Sequence, residues 1–314
     1  MGTDALETAR HLFASGRTQD AIRWVEKCAD AGDVNALCAL AHWRLFGLYG
    51  SRDEAAAHIY LDRALERGAE DAARLKVALL SSGRGCVRDE KGAAELLRLH
   101  LSGDELAMAQ LSAWEELRDW KAPEPAQCLA EGQQLFLLAN MLTEQGCRYL
   151  QQLAKPRLRP SFVIDPKSGQ RRPDSIRTSN SASLGPDTED LLVSLLNDRI
   201  AAASGTSRDQ GEPLHILRYQ GSQEYRLHSD VLPQASNQRI WTVIVYLNDD
   251  YEAGETAFPA LNLKLKGKRG DALLFRNIDG KGKADSMMRH AGLPPENGEK
   301  WVATRWIRAA PLTI

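Results

Sequence analysis

The sequence predicts an α+β protein: an N-terminal helical repeat, then a β-sandwich or barrel flanked by helices. Three observations carry this. Apolar residues in the first hundred positions recur at helical spacing, as in AIRWVEKCADAG and HIYLDRALERGAEDAARL. A Gly-x-x-x-Ala pattern returns at Gly32, Gly68 and Gly103, separated by 36 and 35 residues, a period that signals stacked helical hairpins. Past residue 205 come short strand-like runs, LHILRYQ, EYRLHSD, RIWTVIVYLN, KLKGKRGDALLF and KWVATRWIRAAPL, and such runs separated by turn residues mark a sandwich or barrel.

Within the repeat, each of the three glycines is expected to close a helix in a left-handed cap, and the alanine after it to let the next helix pack closely. The repeat domain spans residues 1–115. A proline-containing stretch, KAPEPAQ, places a linker at 116–133, and a second domain fills 134–314. That domain opens with a short apolar strand from Leu135 and a helix capped by Thr143 with Glu144 in its first turn. DTEDLLVSLLNDRIAAASG reads as an amphipathic helix, capped by Asp187 and ending near Gly205. KPRLRPSFVIDPKSGQRR between them reads as a solvated basic loop, with a mobile loop over the site as the functional alternative.

Composition narrows the function. With 314 residues there is room for about two domains. A net charge of −2 gives no electrostatic reason to expect a nucleic-acid or membrane partner. No apolar run approaches the length of a membrane span, and MGTDALETARHLFASGR does not read as a secretory signal. Cys28, Cys38, Cys86, Cys128 and Cys147 are odd in number, widely spaced and without a CxxC. Free thiols in a reducing, cytoplasmic setting are therefore expected.

The chemistry concentrates in YRLHSDVLPQ. His228 and Asp230 are two apart, so on a strand they share a face and can reach one ion. A facial two-histidine, one-carboxylate site for non-haem Fe(II) needs a second imidazole from a distant strand. His290 stands sixty residues beyond Asp230, and Lys300 ten further on.

The ordered elements YQGSQEYRLHSD, RIWTVIVYLNDD, GETAFP, GDALLF, HAGLPP, GEKW and RWIR resemble 2-oxoglutarate- and Fe(II)-dependent dioxygenases of the prolyl 4-hydroxylase type over residues 135–314. The resemblance implies a double-stranded β-helix (jelly-roll, cupin-like) domain. It implies that His228, Asp230 and His290 bind Fe(II), and that Lys300 pairs with the distal carboxylate of 2-oxoglutarate. Tyr219 would hydrogen-bond that carboxylate with help from Thr256, while Tyr225, Arg239 and Trp306 would line the substrate groove. O2 is the expected co-substrate, and ascorbate a family expectation. The activity implied is hydroxylation of a prolyl residue in a protein or peptide, with 2-oxoglutarate and O2 giving succinate and CO2. A free amino acid or small metabolite is the alternative substrate, and a non-catalytic scaffold or sensor built on the repeats is the third reading. Departures at Met288, Arg289 and Pro295 fall on the substrate side and leave the ligands intact. ERGAEDA and DAGDVNA resemble Sel1-like repeats, relatives of the tetratricopeptide family. These imply a surface that recruits the protein substrate.

Overall fold

The structure, a computed structural model, describes residues 5–121, 126–164, 171–173 and 176–312. The chain divides into two compact units, Met1–Leu111 with Pro186–Leu191, and Ser112–Gly185 with Leu192–Ile314.

The first unit is built from helices α1 (Ala5–Ala14), α2 (Thr18–Asp30), α3 (Val34–Phe46), α4 (Glu54–Leu65), α5 (Glu70–Ser82) and α6 (Glu90–His100), with α7 (Glu105–Asp119) running out of it. Helices α2, α4 and α6 begin thirty-six residues apart, so the period seen in the sequence is one helical hairpin. Aspartate caps α3, α4 and α6. The side chains of Asp33, Asp53 and Asp89 each accept a backbone N–H three residues on, at 2.9 Å, and so satisfy a donor that the first helical turn leaves orphaned. Alanines Ala21, Ala29, Ala36, Ala57, Ala64 and Ala72 are fully buried between the helices. Gly32 and Gly68 take left-handed φ of 90° and 75° as expected, but Gly103 does not. There α6 ends at Leu101 with φ −130°, and the αL caps fall instead on Gly47 and Gly83, after α3 and α5.

The second unit carries β1 (Gln127–Cys128), β2 (Leu135–Leu138), α8 (Glu144–Ala154), β3 (Arg159–Pro160), β4 (Phe162–Ile164), β5 (Arg171–Pro173), β6 (Asn180–Leu184) and α9 (Leu191–Ser204). Then follow β7 (Leu214–Gln220), β8 (Tyr225–His228), β9 (Arg239–Tyr246), β10 (Thr256–Phe258), β11 (Leu263–Leu265), β12 (Ala272–Arg276), β13 (His290–Gly292) and β14 (Glu299–Arg308). An eight-stranded sheet has the order β1-β2-β12-β9-β14-β7-β6-β3, and a four-stranded sheet the order β11-β10-β13-β8. The pairings are antiparallel, and the two sheets form the jelly roll as an open sandwich, not a closed barrel. Alternate residues of the larger sheet, Leu217, Tyr219, Ile244, Tyr246, Leu273, Phe275 and Val302, meet Phe258 of the smaller one in the core. The period-two alternation of the strands supplies that face.

Several boundaries differ from the sequence reading. The expected linker is largely structured: α7 runs to Asp119, and β1 pairs with β2. Most of KAPEPAQ (residues 122–125) lies outside the described residues, as do residues 165–170 of the basic segment; β4 and β5, on either side of 165–170, pair with each other. Thr143 caps α8 as expected, its hydroxyl accepting the Gly146 N–H at 3.1 Å. Asp187 does not cap α9, because the helix begins only at Leu191; its carboxylate instead lies 3.5 Å from His42. KLKGKRGDALLF is two strands, β11 and β12, not one. Between them Gly270 has φ +86°, and a Cβ there would meet the Leu142 carbonyl oxygen at 2.3 Å, so the chain turns where only glycine fits.

All five cysteines are free. Burial pushes the Cys147 thiol up to about 12, whereas Cys128 is exposed. Since the thiolate is the nucleophile, native protein treated with iodoacetamide at pH 8 is expected to carry the label on Cys128 and none on Cys147. Peptide mass mapping checks this, and labelling of native Cys147 would contradict the packing of α8.

Candidate active site

His228 ends β8, His290 opens β13, and the two are direct cross-strand partners. Asp230 follows His228 by two residues and is 4% exposed. The pairing brings together one ligand atom from each of the three, all within 4.8 Å of one another. The ring centroids of the two histidines are 4.3 Å apart.

Each imidazole is oriented by its own backbone. The Nδ1–H of His228 donates to the Arg226 carbonyl at 2.8 Å, and that of His290 to the Met288 carbonyl at 3.0 Å. A donor at Nδ1 leaves a lone pair at Nε2 of the neutral ring. Those Nε2 atoms face the Asp230 carboxylate at 3.4 and 3.6 Å, and His228 Nε2 is buried without a hydrogen-bond partner. Burial pushes His290 down to about 4, outweighing the pull of Asp230. Lone pairs converging on one point, two neutral nitrogens and an anionic oxygen, fit a divalent cation of borderline softness such as Fe(II).

On the larger sheet, Lys300 of β14 is the register partner of Tyr219 on β7. Lys300 is 2% exposed, and no side chain among the described residues hydrogen-bonds its ammonium. Burial pushes it down to about 7, with Glu255 the only charge opposing the shift. Its Nζ lies 5.4 Å from the Tyr219 ring centroid. Thr256, at the start of β10, accepts the Tyr246 hydroxyl at 3.0 Å. A pocket between the sheets is lined by Tyr219, Tyr225, Thr256, Lys300 and Trp306 together with the triad. A buried cationic group that no carboxylate among the described residues hydrogen-bonds fits a carboxylate ligand.

The profile of the 2OG-Fe(II) oxygenase superfamily matches residues 214–308, which run from β7 to β14. Prolyl 4-hydroxylase 1 of Arabidopsis thaliana is 33% identical over 193 residues, covering 55% of this chain and 68% of that protein. The chain belongs to the prolyl 4-hydroxylase family of 2OG-Fe(II) oxygenases. Among solved structures, the viral collagen prolyl hydroxylase of Paramecium bursaria Chlorella virus-1, in its 2OG complex, aligns over 58% of this chain and all (100%) of that one, at 26% identity and TM-score 0.46. A Sel1 repeat protein of Oxalobacter formigenes aligns over 35% of this chain and 86% of that one, at 25% identity and TM-score 0.33.

In this oxygenase the residues expected in the groove divide. Tyr225 and Trp306 line the pocket, and Tyr225 stacks on His228 with centroids 3.5 Å apart. Arg239 does not line it. Its Nε and Nη2 each donate to Glu212 at 2.7 Å, and its guanidinium lies 4.0 Å over the Trp306 ring. A register shift in β14 sets Arg308 opposite Arg239, two like charges that would repel. Arg308 also donates to Glu212, at 2.5 Å, so one carboxylate bridges both. Glu212→Ala would leave two half-buried guanidinium groups face to face. It is expected to cost about 3 kcal/mol, seen as a lower urea midpoint without a change in slope; an unchanged midpoint would contradict the bridge.

Three contributors escaped the sequence reading: Glu212, Thr242 and Asn277. Thr242 donates to Asp230 Oδ2 at 2.6 Å, and Asn277 Nδ2 donates to the Thr242 hydroxyl at 2.9 Å. The one available signal was a polar residue, Thr242, inside the apolar run RIWTVIVYLN.

Proposed function

We propose that this oxygenase hydroxylates a prolyl residue of a protein or peptide, with Fe(II) held by His228, Asp230 and His290 and 2-oxoglutarate held against Lys300. The observation that carries the proposal is that one pocket is lined both by the convergent triad and by a buried ammonium that no carboxylate among the described residues hydrogen-bonds. Bound iron would supply the oxidative decarboxylation of 2-oxoglutarate to succinate and CO2, coupled to insertion of one oxygen atom into a C–H bond.

The chain's own residues would bind, orient and exclude water. Lys300 would meet the distal carboxylate as a point charge, and the Tyr219 hydroxyl, whose ionisation burial disfavours, would remain a neutral donor to it. Thr256 lines the same pocket from the smaller sheet. Leu217, Ile244 and Val302 give the pocket apolar sides, which strengthen charge interactions inside it. Tyr225, stacked on one ligand ring, and Trp306 would shape the entry for a prolyl ring. Arg239, tied to Glu212, would act there through Trp306.

The name of the Arabidopsis relative supports the prolyl substrate. The helical repeat would recruit the protein that carries it. Ascorbate would serve as reductant, and five free thiols support a reducing, cytoplasmic setting. Among the described residues no helix is long and apolar enough to cross a membrane.

The test is anaerobic titration of the chain with Fe(II) and 2-oxoglutarate, followed by the visible charge-transfer band of the chelate, and then turnover with a proline-rich peptide or with free amino acids. Succinate formed in step with peptide hydroxylation is expected. Turnover with free amino acids alone would move the substrate to small metabolites, and no band at saturating iron would sink the reading.

A further inference from the structure

We infer that Asn277, acting through Thr242, is a positioning residue that presets Asp230 to take a metal ion. The inference rests on the metal reading of the triad and extends it to residues that do not touch the ion.

A hydroxyl has one proton and must choose where to send it. Asn277 Nδ2 donates to Thr242 Oγ1 at 2.9 Å, which occupies an acceptor site on the hydroxyl. The Thr242 proton is thereby directed to Asp230 Oδ2 at 2.6 Å. Thr242 is fully buried, and Asn277 is 2% exposed. Water does not compete for these bonds, and a misdirected hydroxyl would leave a buried polar group unsatisfied. With Oδ2 held by Thr242, Oδ1 is the oxygen nearer His228 Nε2, at 3.4 Å.

Asn277 also ties this carboxylate to the distant histidine. Its N–H donates to the Ile240 carbonyl on β9 at 2.9 Å, and its carbonyl accepts the Asp285 N–H at 3.0 Å. Asp285 caps the short turn Ser286–Met288 through the Met287 N–H at 2.9 Å. Met288 in turn accepts the Nδ1–H of His290. One buried residue thus joins two chains of contact, one ending at each end of the triad: Asp230 through Thr242, and His290 through Asp285. Outer groups that orient metal ligands in this way commonly set affinity by ten- to a hundredfold.

The experiment is calorimetric titration of the full chain with Co(II) alone, so that turnover plays no part, with a thermal melt of each variant as the check on folding. Asn277→Ala and Thr242→Val are each expected to weaken Co(II) binding about ten- to a hundredfold. Thr242→Ser, which keeps the hydroxyl, is expected to restore it. Because Asn277 acts through Thr242, the double variant is expected to bind within about twofold of Thr242→Val alone. Should Asn277→Ala fail to fold, Asn277→Asp keeps the shape and removes the donor, and the same loss is expected. Asn277→Ala binding like the parent, or losses that multiply in the double variant, would overturn the inference. A parent chain that takes up no Co(II) would overturn the metal reading beneath it.

Discussion

Lys300→Met is expected to raise the 2-oxoglutarate concentration needed for half-maximal turnover by about 10²-fold, the worth of a charge-assisted bond in a buried site. The same variant is expected to be more stable than the parent near neutral pH. Burial pushes Lys300 down to about 7 from an ordinary 10.5. Below pH 7 the parent must bury a charged ammonium that the unfolded chain leaves in water. Between pH 7 and 10.5 the unfolded lysine keeps a proton that the folded one has shed, so that cost shrinks as pH rises. The advantage of the methionine variant therefore declines across that window, by up to about 1.4 kcal/mol per pH unit. Urea unfolding of both chains at pH 7 and pH 9.5, without 2-oxoglutarate, reads the difference, and kinetics at saturating peptide read the first effect. A variant with unchanged 2-oxoglutarate requirement would remove Lys300 from the co-substrate site.

Asp230→Asn is expected to remove measurable turnover and to weaken Fe(II) or Co(II) binding by more than about 10²-fold, since the anionic ligand is lost while the shape is kept. Asparagine also adds a donor beside two imidazole lone pairs. The nitrogen or the oxygen of the new amide must face Thr242, and neither choice reproduces a carboxylate that accepts on both oxygens. The visible band of the Fe(II)–2-oxoglutarate chelate reads this without turnover. A variant retaining the band at the parent's iron concentration would show that Asp230 is no ligand.

Much of the candidate site was legible because strands have a period of two. Lys300 and Trp306 lie an even number of residues apart on β14 and both line the pocket, whereas Asp230 stands two residues past the end of β8, so the chain beyond the strand and not the strand's own period brings it to His228. The repeat period was legible because each hairpin carries its own stop and start signals, such as Asp53 and Asp89 at the heads of α4 and α6. Asp187 misled for the converse reason. A good capping residue caps only where the backbone places it, and the helix began four residues later.

By itself, then, the sequence determined the two kinds of architecture, the helical period and the β-sheet core, and it singled out the candidate triad and its lysine. These follow from local periodicity, from capping chemistry and from residue types that have few other uses in combination. The tertiary structure alone decided which atoms meet. The cross-strand register made His228 and His290 neighbours. A register shift in β14 brought Arg239 opposite Arg308 and so onto Glu212, away from the pocket. Asn277 reaches Thr242 across thirty-five residues of chain. Register and long-range hydrogen bonds belong to pairs of segments, and neither member of a pair records its partner in its own pattern.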